Sequence, residues 1–267
     1  MKENKIWNDY LPEDMQEHWT VYECLKESED SSTFLVKETA TGILCVLKWG
    51  RNRQTEFLRN EMEIMKKMAD RKLSGIPKAY RIFEENGEVY LVREYIEGMS
   101  LAQMVLQKGG ISEAEICRIS RKICQTAEQF QNPDEPMIHR DIKPENIVVT
   151  PGGEVVFIDF GTMRSYKKDG SRDTFVVGTR GTAAPEQYGY TQTDQRTDVY
   201  AIGQTMLYMV SESYEMNQLS ECAVSRRMKK IIEKACSFEP DKRYGDAGQA
   251  HLGRSAVSAG RIGRAHV

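Results

Sequence analysis

With 267 residues, 40% of them hydrophobic and 29% charged, the chain is long enough for one large domain or two small lobes, and its composition is that of a soluble globular protein, for which disorder is not the default reading. Thirty-seven lysines and arginines against 40 acidic residues give a net charge of -3, which excludes a general electrostatic pull towards nucleic acid or anionic lipid. The longest apolar runs are strand-sized, far short of the roughly 20 residues that span a bilayer, and the first ten residues lack the apolar core of a secretory signal. A cytoplasmic chain is expected, and its six scattered cysteines, without CxxC spacing or a histidine cluster, should stay reduced.

The stretch 21–92 reads as strands interrupted by one helix. Strands are predicted at 34–37, 43–49, 79–83 and 89–92, with turn signals at Thr41-Gly42 and Asn86-Gly87, which together describe a small, mainly antiparallel sheet. Between the second and third of these, Phe57, Ile64, Met65 and Met68 recur at helical spacing over 54–70. Glu61 falls on that apolar stripe and Glu63 does not.

Beyond Gly98 the pattern turns helical. Ser112 and Glu115 predict a capping box, with Ile111 and Ile116 placed as a hydrophobic staple, for a helix running to about Gln131, where Asn132-Pro133 and Pro136 stop it. Short strands are predicted at 147–149 and 155–158 around a Pro151-Gly152-Gly153 turn, then a long polar stretch over 162–180 and two helical segments at 199–210 and 228–236. Residues 251–267, rich in Gly, Ala, Ser and Arg, read more readily as a non-native tail than as a frayed helix. No internal repeat is evident.

The segment from His139 to Asn146, ahead of one predicted strand, and Asp159-Phe160-Gly161, after the next, put two carboxylates and a carboxamide on adjacent strand ends. Hard oxygen ligands of this kind suit Mg2+, which takes few protein ligands, so Asn146 and Asp159 are the candidate metal ligands. Asp141 is then free to accept the proton of an incoming hydroxyl, and Lys143 can lend positive charge to a transferring phosphoryl group.

Taken in order, Cys45-Val46-Leu47-Lys48, Glu61, His139 to Asn146, Asp159-Phe160-Gly161 and Ala184-Pro185-Glu186 resemble the signature set of the protein kinases. The resemblance covers about 21–250, and the wording around Ala183 to Gly189 is similar to the bacterial branch of the eukaryotic-type Ser/Thr kinases. It implies an α+β, bilobal fold: a leader at 1–20, an N-lobe with a small antiparallel sheet and one helix plus the hinge at 21–96, a mainly helical C-lobe at 97–250, and the tail. It also implies ATP and Mg2+ as cofactors and a protein substrate offering Ser or Thr, with autophosphorylation, while the charge balance and the short apolar runs predict neither a nucleic-acid partner nor a membrane segment in this chain. Lys48 would hold the ATP phosphates and pair with Glu61, Glu94 and Ile96 of the hinge would hold the base, and Asp141, Lys143 and Asn146 would be catalytic. Asp198 would brace the catalytic loop, Glu186 and Arg243 would form a structural ion pair, and His139 would be a packed, hydrogen-bonded anchor. The rival readings are a pseudokinase or weakly active nucleotide-binding module and a small-molecule phosphotransferase.

Several positions depart from the family. Lys26, Ser28 and Ser31 stand where the nucleotide-loop glycines belong. Lys26 then either compensates electrostatically, or the acidic turn at 27–30 repels triphosphate. Arg93, just before the hinge, either pairs with Glu61 in competition with Lys48 or runs outward along its strand. Arg140 could bind a phosphorylated residue of the loop that follows Asp159, with Thr174 the first choice, while Thr179 matches the threonine that contacts the catalytic aspartate. The connection at 210–226 is short for the family, and the native protein is expected to continue beyond this chain, into a membrane or sensor segment.

Overall fold

The computed structural model describes residues 11–131, 135–166, 178–189 and 192–252. Their chain divides into two units, the first ending at Glu97 and the second starting at Gly98.

The first unit runs α1 (Glu13–Gln16), β1 (Trp19–Glu27), β2 (Ser31–Glu38), β3 (Leu44–Gly50), α2 (Gln54–Asp70), β4 (Ala79–Glu85) and β5 (Glu88–Glu94). The strands form one antiparallel sheet in the order β1-β2-β3-β5-β4. Asn86 and Gly87 close the β4–β5 hairpin with both φ angles positive (51° and 82°), the geometry that an Asn-Gly turn favours. Strand periodicity sends alternate residues to opposite faces. Phe34, Val36, Cys45, Leu47, Tyr90 and Val92 pack on one face with Leu11, Met15 and Trp19. Val89 and Leu91 pack on the other against Leu58 and Met62 of α2. Each such side chain, taken fully out of water, contributes about 1.5–3 kcal/mol. Two expectations change here. The sheet has a fifth strand, β1, that the pattern at 34–92 did not reveal, and the supposed leader supplies Leu11, Met15 and Trp19 to the core. β1 escaped because its burial is irregular, broken by two register shifts against β2.

The second unit contains β6 (Met99–Ser100), α3 (Leu101–Lys108), α4 (Glu113–Phe130), β7 (Met137–Ile138), β8 (Ile147–Val149), β9 (Val155–Phe157), β10 (Arg164–Ser165), α5 (Gln195–Ser211), α6 (Arg226–Ala235) and α7 (Ala247–Leu252). Its strands are short and local: β6, β8 and β9 form one small sheet, β7 and β10 another. Helices α4 and α5 carry much of the core, and α5 is buried on nearly all sides. Gly203 lets α5 approach α6, since a Cβ there would lie 2.7 Å from Ala235 Cβ and Cys236 Sγ.

The capping box expected at Ser112 is half formed. Ser112 Oγ accepts from Glu115 N at 3.3 Å, while the Glu115 carboxylate goes to Lys108 Nζ at 2.9 Å. The complete box belongs to α3, where Ser100 Oγ accepts from Gln103 N and the Gln103 side chain returns to Ser100 N. The short 210–226 connection is a turn at Met216–Ser220 that buries Leu219, and Tyr214 stacks on Tyr208 with ring centroids 5.1 Å apart. In the stretch read as a tail, α7 extends to Leu252, and 253–267 lie outside the described residues.

Candidate active site

Lys48 and Glu61 are brought together within the first unit. Opposite residues of an antiparallel pair share a face, so the register Lys48↔Leu91 puts Lys48 on the side of the sheet that α2 covers. The helical stripe that carries Glu61 turns it to the same side. Lys48 Nζ lies 2.8 Å from both Glu61 carboxylate oxygens, and Glu61 is 1% exposed. A carboxylate so deeply buried is tolerated because it is paired. Glu63, off the stripe, is exposed and pairs with Lys67.

The sequence offered two courses for Arg93, and one of them is settled. Arg93 is buried, with Nη1 donating to the Glu94 carbonyl at 2.9 Å, while Lys48 holds both Glu61 oxygens. An outward course along the strand is excluded by its 3% exposure. Glu94 itself is clamped, its N–H donating to Lys78 O at 2.8 Å and its carboxylate accepting from Lys78 N at 2.9 Å. Ile96 follows β5 and is half-buried.

The glycine-free turn between β1 and β2 is tied down. Ser28 donates from N and Oγ to Ser31 O (2.8 and 2.9 Å). Asp30 Oδ1 accepts from Arg51 Nε at 3.0 Å and Asn52 Nδ2 at 2.9 Å, and Arg51 N donates to Asp30 O at 3.0 Å. Side-chain hydrogen bonds thus constrain this glycine-free turn, and Arg51 answers part of its negative charge.

In the second unit, one aspartate gathers three side chains. Asp141 Oδ2 accepts from Lys143 Nζ at 2.8 Å and Asn146 Nδ2 at 2.9 Å, and Oδ1 accepts from Thr179 Oγ1 at 2.7 Å. Lys143 Nζ also reaches Thr179 Oγ1 at 2.5 Å. The carboxylate is thereby held in one orientation. Local structure explains the convergence: Pro144–Asn146 form a tight 3-10 turn, which swings Asn146 back over Asp141. Ile158 N then donates to Asn146 O at 3.0 Å, placing Asp159 beside Asn146 at the ends of β9 and β8. A carboxamide and a carboxylate are oxygen donors of the kind, few in number, that Mg2+ takes from protein. Asp159 Oδ1 also accepts from Gly161 N at 3.2 Å.

The segment that starts at His139 is braced from behind by Asp198, as expected. Its carboxylate accepts from His139 N at 3.0 Å and Arg140 N at 2.9 Å, which holds Arg140 at φ 67°, a left-handed conformation costly for a non-glycine residue. Burial pushes the Asp198 carboxyl up to about 6, although those backbone donors and Gln131 favour its charged form. His139 is fully buried among Phe130, Phe157 and Phe160, and desolvation lowers its imidazole to about 4, which makes it a neutral packing residue. Its anchoring hydrogen bonds run through the backbone: N to Asp198, and O accepting from Thr162 Oγ1 at 3.0 Å.

Glu186 and Arg243 form the expected buried ion pair at 2.7 and 2.9 Å. Two glutamines escaped the sequence reading. Gln131 donates to Asp198, and Gln187 caps the turn at Ala184 and donates to Arg140 O at 2.7 Å. Neither has a motif of its own, because an amide's value lies in partners far along the chain. Thr174 lies outside the described residues; Arg140 Nε donates to Thr162 O at 2.8 Å.

The profile of the "Protein kinase domain" family matches residues 20–251. The chain is 30% identical over 246 residues to "Serine/threonine-protein kinase D" of Synechocystis sp., covering 80% of this chain and 47% of that protein. It is 29% identical over 195 residues to "Serine/threonine-protein kinase B" of the same organism (65% and 33%), and 25% identical over 230 residues to "Serine/threonine-protein kinase cds1" of Schizosaccharomyces pombe (76% and 48%). The chain thus spans half or less of the length of these relatives. Among the described residues no helix is long and apolar enough to cross a membrane. With Lys48 of β3 paired to Glu61 of α2, and Asp141 joined to Asn146 in the helical unit, the chain belongs to the protein kinase family, as an α+β domain.

Proposed function

We propose that the chain transfers the γ-phosphoryl group of Mg-ATP to Ser or Thr hydroxyls of proteins, itself included. The observation that carries this reading is the Asp141 carboxylate, fixed by Lys143, Thr179 and Asn146 and already accepting a threonine hydroxyl at 2.7 Å. An acceptor hydroxyl needs that same interaction. Its oxygen forms a bond to the γ-phosphorus while the bond from phosphorus to the β–γ bridging oxygen breaks, the electron pair leaving with ADP and the hydroxyl proton passing to Asp141. Lys143 stabilises charge on the transferring group. Lys48, oriented by Glu61, binds the α and β phosphates, and Glu94 and Ile96 meet the base. Asn146 and Asp159 would hold Mg2+, which when bound neutralises the phosphate oxygens.

All six cysteines are free thiols, in keeping with a reducing compartment such as the cytoplasm. The net charge of -3 favours protein over nucleic-acid partners.

The test is mass-detected phosphate transfer from Mg-ATP to the chain and to a generic protein, beside Asp141→Asn. The variant should lose at least about 100-fold in rate while still binding nucleotide. Transfer by the variant within threefold of the parent, or nucleotide binding by the parent with no transfer at all, would overturn the reading, the latter in favour of a non-catalytic binding module.

A further inference from the structure

Helices α4 and α6 both pack on α5, and between them lies an open groove of about 200 Å³ lined by Glu113, Cys117, Arg121, Arg227, Met228 and Ile231. Its floor is apolar: Met228 and Ile231 are buried, and Cys117 is half-buried. The carboxylate in the lining is taken, since Glu113 accepts from Ser225 N at 2.7 Å and from Ser225 Oγ at 2.5 Å. Arg121 is exposed and, among the described residues, makes no hydrogen bond, ion pair or ring contact. The same holds for Arg226 and Lys230 of α6.

Lys230 and Lys234 stand three and seven residues past Arg227, so helical spacing sets them along the same edge of the groove. Lys234 lies over the Tyr244 ring, 4.4 Å from its centroid. In all, α6 carries Arg226, Arg227, Lys229, Lys230 and Lys234 against Glu233 alone, in a chain whose net charge is -3. Positive charge is thus concentrated at this groove against the balance of the whole chain. A basic rim over an apolar floor complements a ligand that carries carboxylates and apolar side chains together. A bilayer surface meets the rim without reaching the floor, and nucleic-acid phosphates leave the floor uncovered. Helix α6 spans about 15 Å, the reach of about five extended residues. We propose that the α4–α6 groove docks an acidic peptide segment of a partner protein, with carboxylates on Arg121, Arg227 and Lys230 and an aliphatic side chain against Met228 and Ile231. The proposal draws nothing from the phosphoryl-transfer reading, and its test needs no turnover.

Cys117 makes the groove readable from within. A short Glu- and Leu-rich peptide and its analogue with Gln for every Glu, each ending in a thionitrobenzoate disulfide, are offered to the full chain, and mass spectrometry maps which cysteine each one labels. The ratio of the two rates cancels the intrinsic reactivity of the thiol, and half-buried Cys24, Cys222 and Cys236 serve as references. At low salt the Glu peptide should label Cys117 at least about fivefold faster than the Gln peptide, the worth of two or three exposed ion pairs. High salt should erase most of that advantage. Arg121→Glu with Lys230→Glu, both at exposed positions without partners, should bring it below about twofold. An advantage in the parent below about fivefold overturns the proposal. So does one that persists in the double variant, or one that appears equally at the reference cysteines. Binding of the chain to phosphatidylglycerol vesicles that the Glu peptide does not displace assigns the basic rim to a lipid surface, and overturns it too.

Discussion

Removing Arg243 should be among the most destabilising single changes in the second unit. Its guanidinium donates to both Glu186 oxygens and to the carbonyls of Ser237, Arg196 and Phe238, at 2.7 to 3.1 Å, and lies 4.8 Å from the Tyr200 ring centroid. Arg243 is 5% and Glu186 4% exposed, so Arg243→Met strands a buried carboxylate that still accepts from Thr197 Oγ1 at 2.8 Å. Breaking a buried pair from one side costs about 3–5 kcal/mol, a large part of the roughly 5–15 kcal/mol that holds a typical domain. Neutralising both partners removes the stranded charge, so Glu186→Gln with Arg243→Met should be about 1–3 kcal/mol more stable than the single variant. A control lies nearby. Arg196 also pairs with Asp241, whose side chain is 93% exposed, and Asp241→Ala should cost at most about 1 kcal/mol. Urea unfolding followed by far-UV ellipticity is the suitable assay. All three tryptophans, at 7, 19 and 49, precede Gly98 in the sequence, where the second unit starts, so their fluorescence is not a probe placed in that unit. A loss for Arg243→Met no larger than that for Asp241→Ala, or a double variant no better than the single one, would refute the reasoning.

Thr179→Val removes the hydroxyl that bridges Lys143 and Asp141, and should lower kcat about tenfold with the KM for ATP within about twofold, Thr179→Ser restoring most of the loss. Steady-state phosphate transfer checks this, and an unchanged kcat counts against it. His139 titrates at about 4 in the folded chain against about 6.5 when unfolded. The unfolded state then binds more protons between those values, so the contribution of the neutral ring is present above pH 6.5 and is lost as pH falls towards 4, by up to about 3 kcal/mol. Asp198, raised to about 6, takes up its proton first in the folded state and works in the opposite direction over pH 6 to 4, so the quantity to measure is the stability difference between the parent and His139→Phe against pH. A difference flat from pH 7 to 4 would contradict the buried neutral imidazole. Asp30→Ala releases the turn from Arg51 and Asn52, and should raise the KM for ATP about threefold at low salt and less at high salt, where these half-exposed charges are already screened.

The sequence by itself determined the parts whose signal is local. Helical spacing carried Glu61 to the buried side of α2 and left Glu63 in water, and the Asn86-Gly87 turn announced the β4–β5 hairpin, because each is settled within a few residues. The candidate site was legible for a similar reason: Asp141, Lys143 and Asn146 sit in one short stretch whose 3-10 turn closes on itself. Tertiary structure decided what depends on partners distant along the chain. Glu115 chose Lys108 over its own helix terminus, and Gln131 and Gln187 became braces for Asp198 and Arg140. Leu11, Met15 and Trp19 turned a supposed leader into the cover of a sheet face. Arg93 is the sharpest case. No pattern in the sequence distinguishes an arginine that reaches solvent from one buried against the Glu94 carbonyl, because the difference lies in the sheet and helix that enclose it.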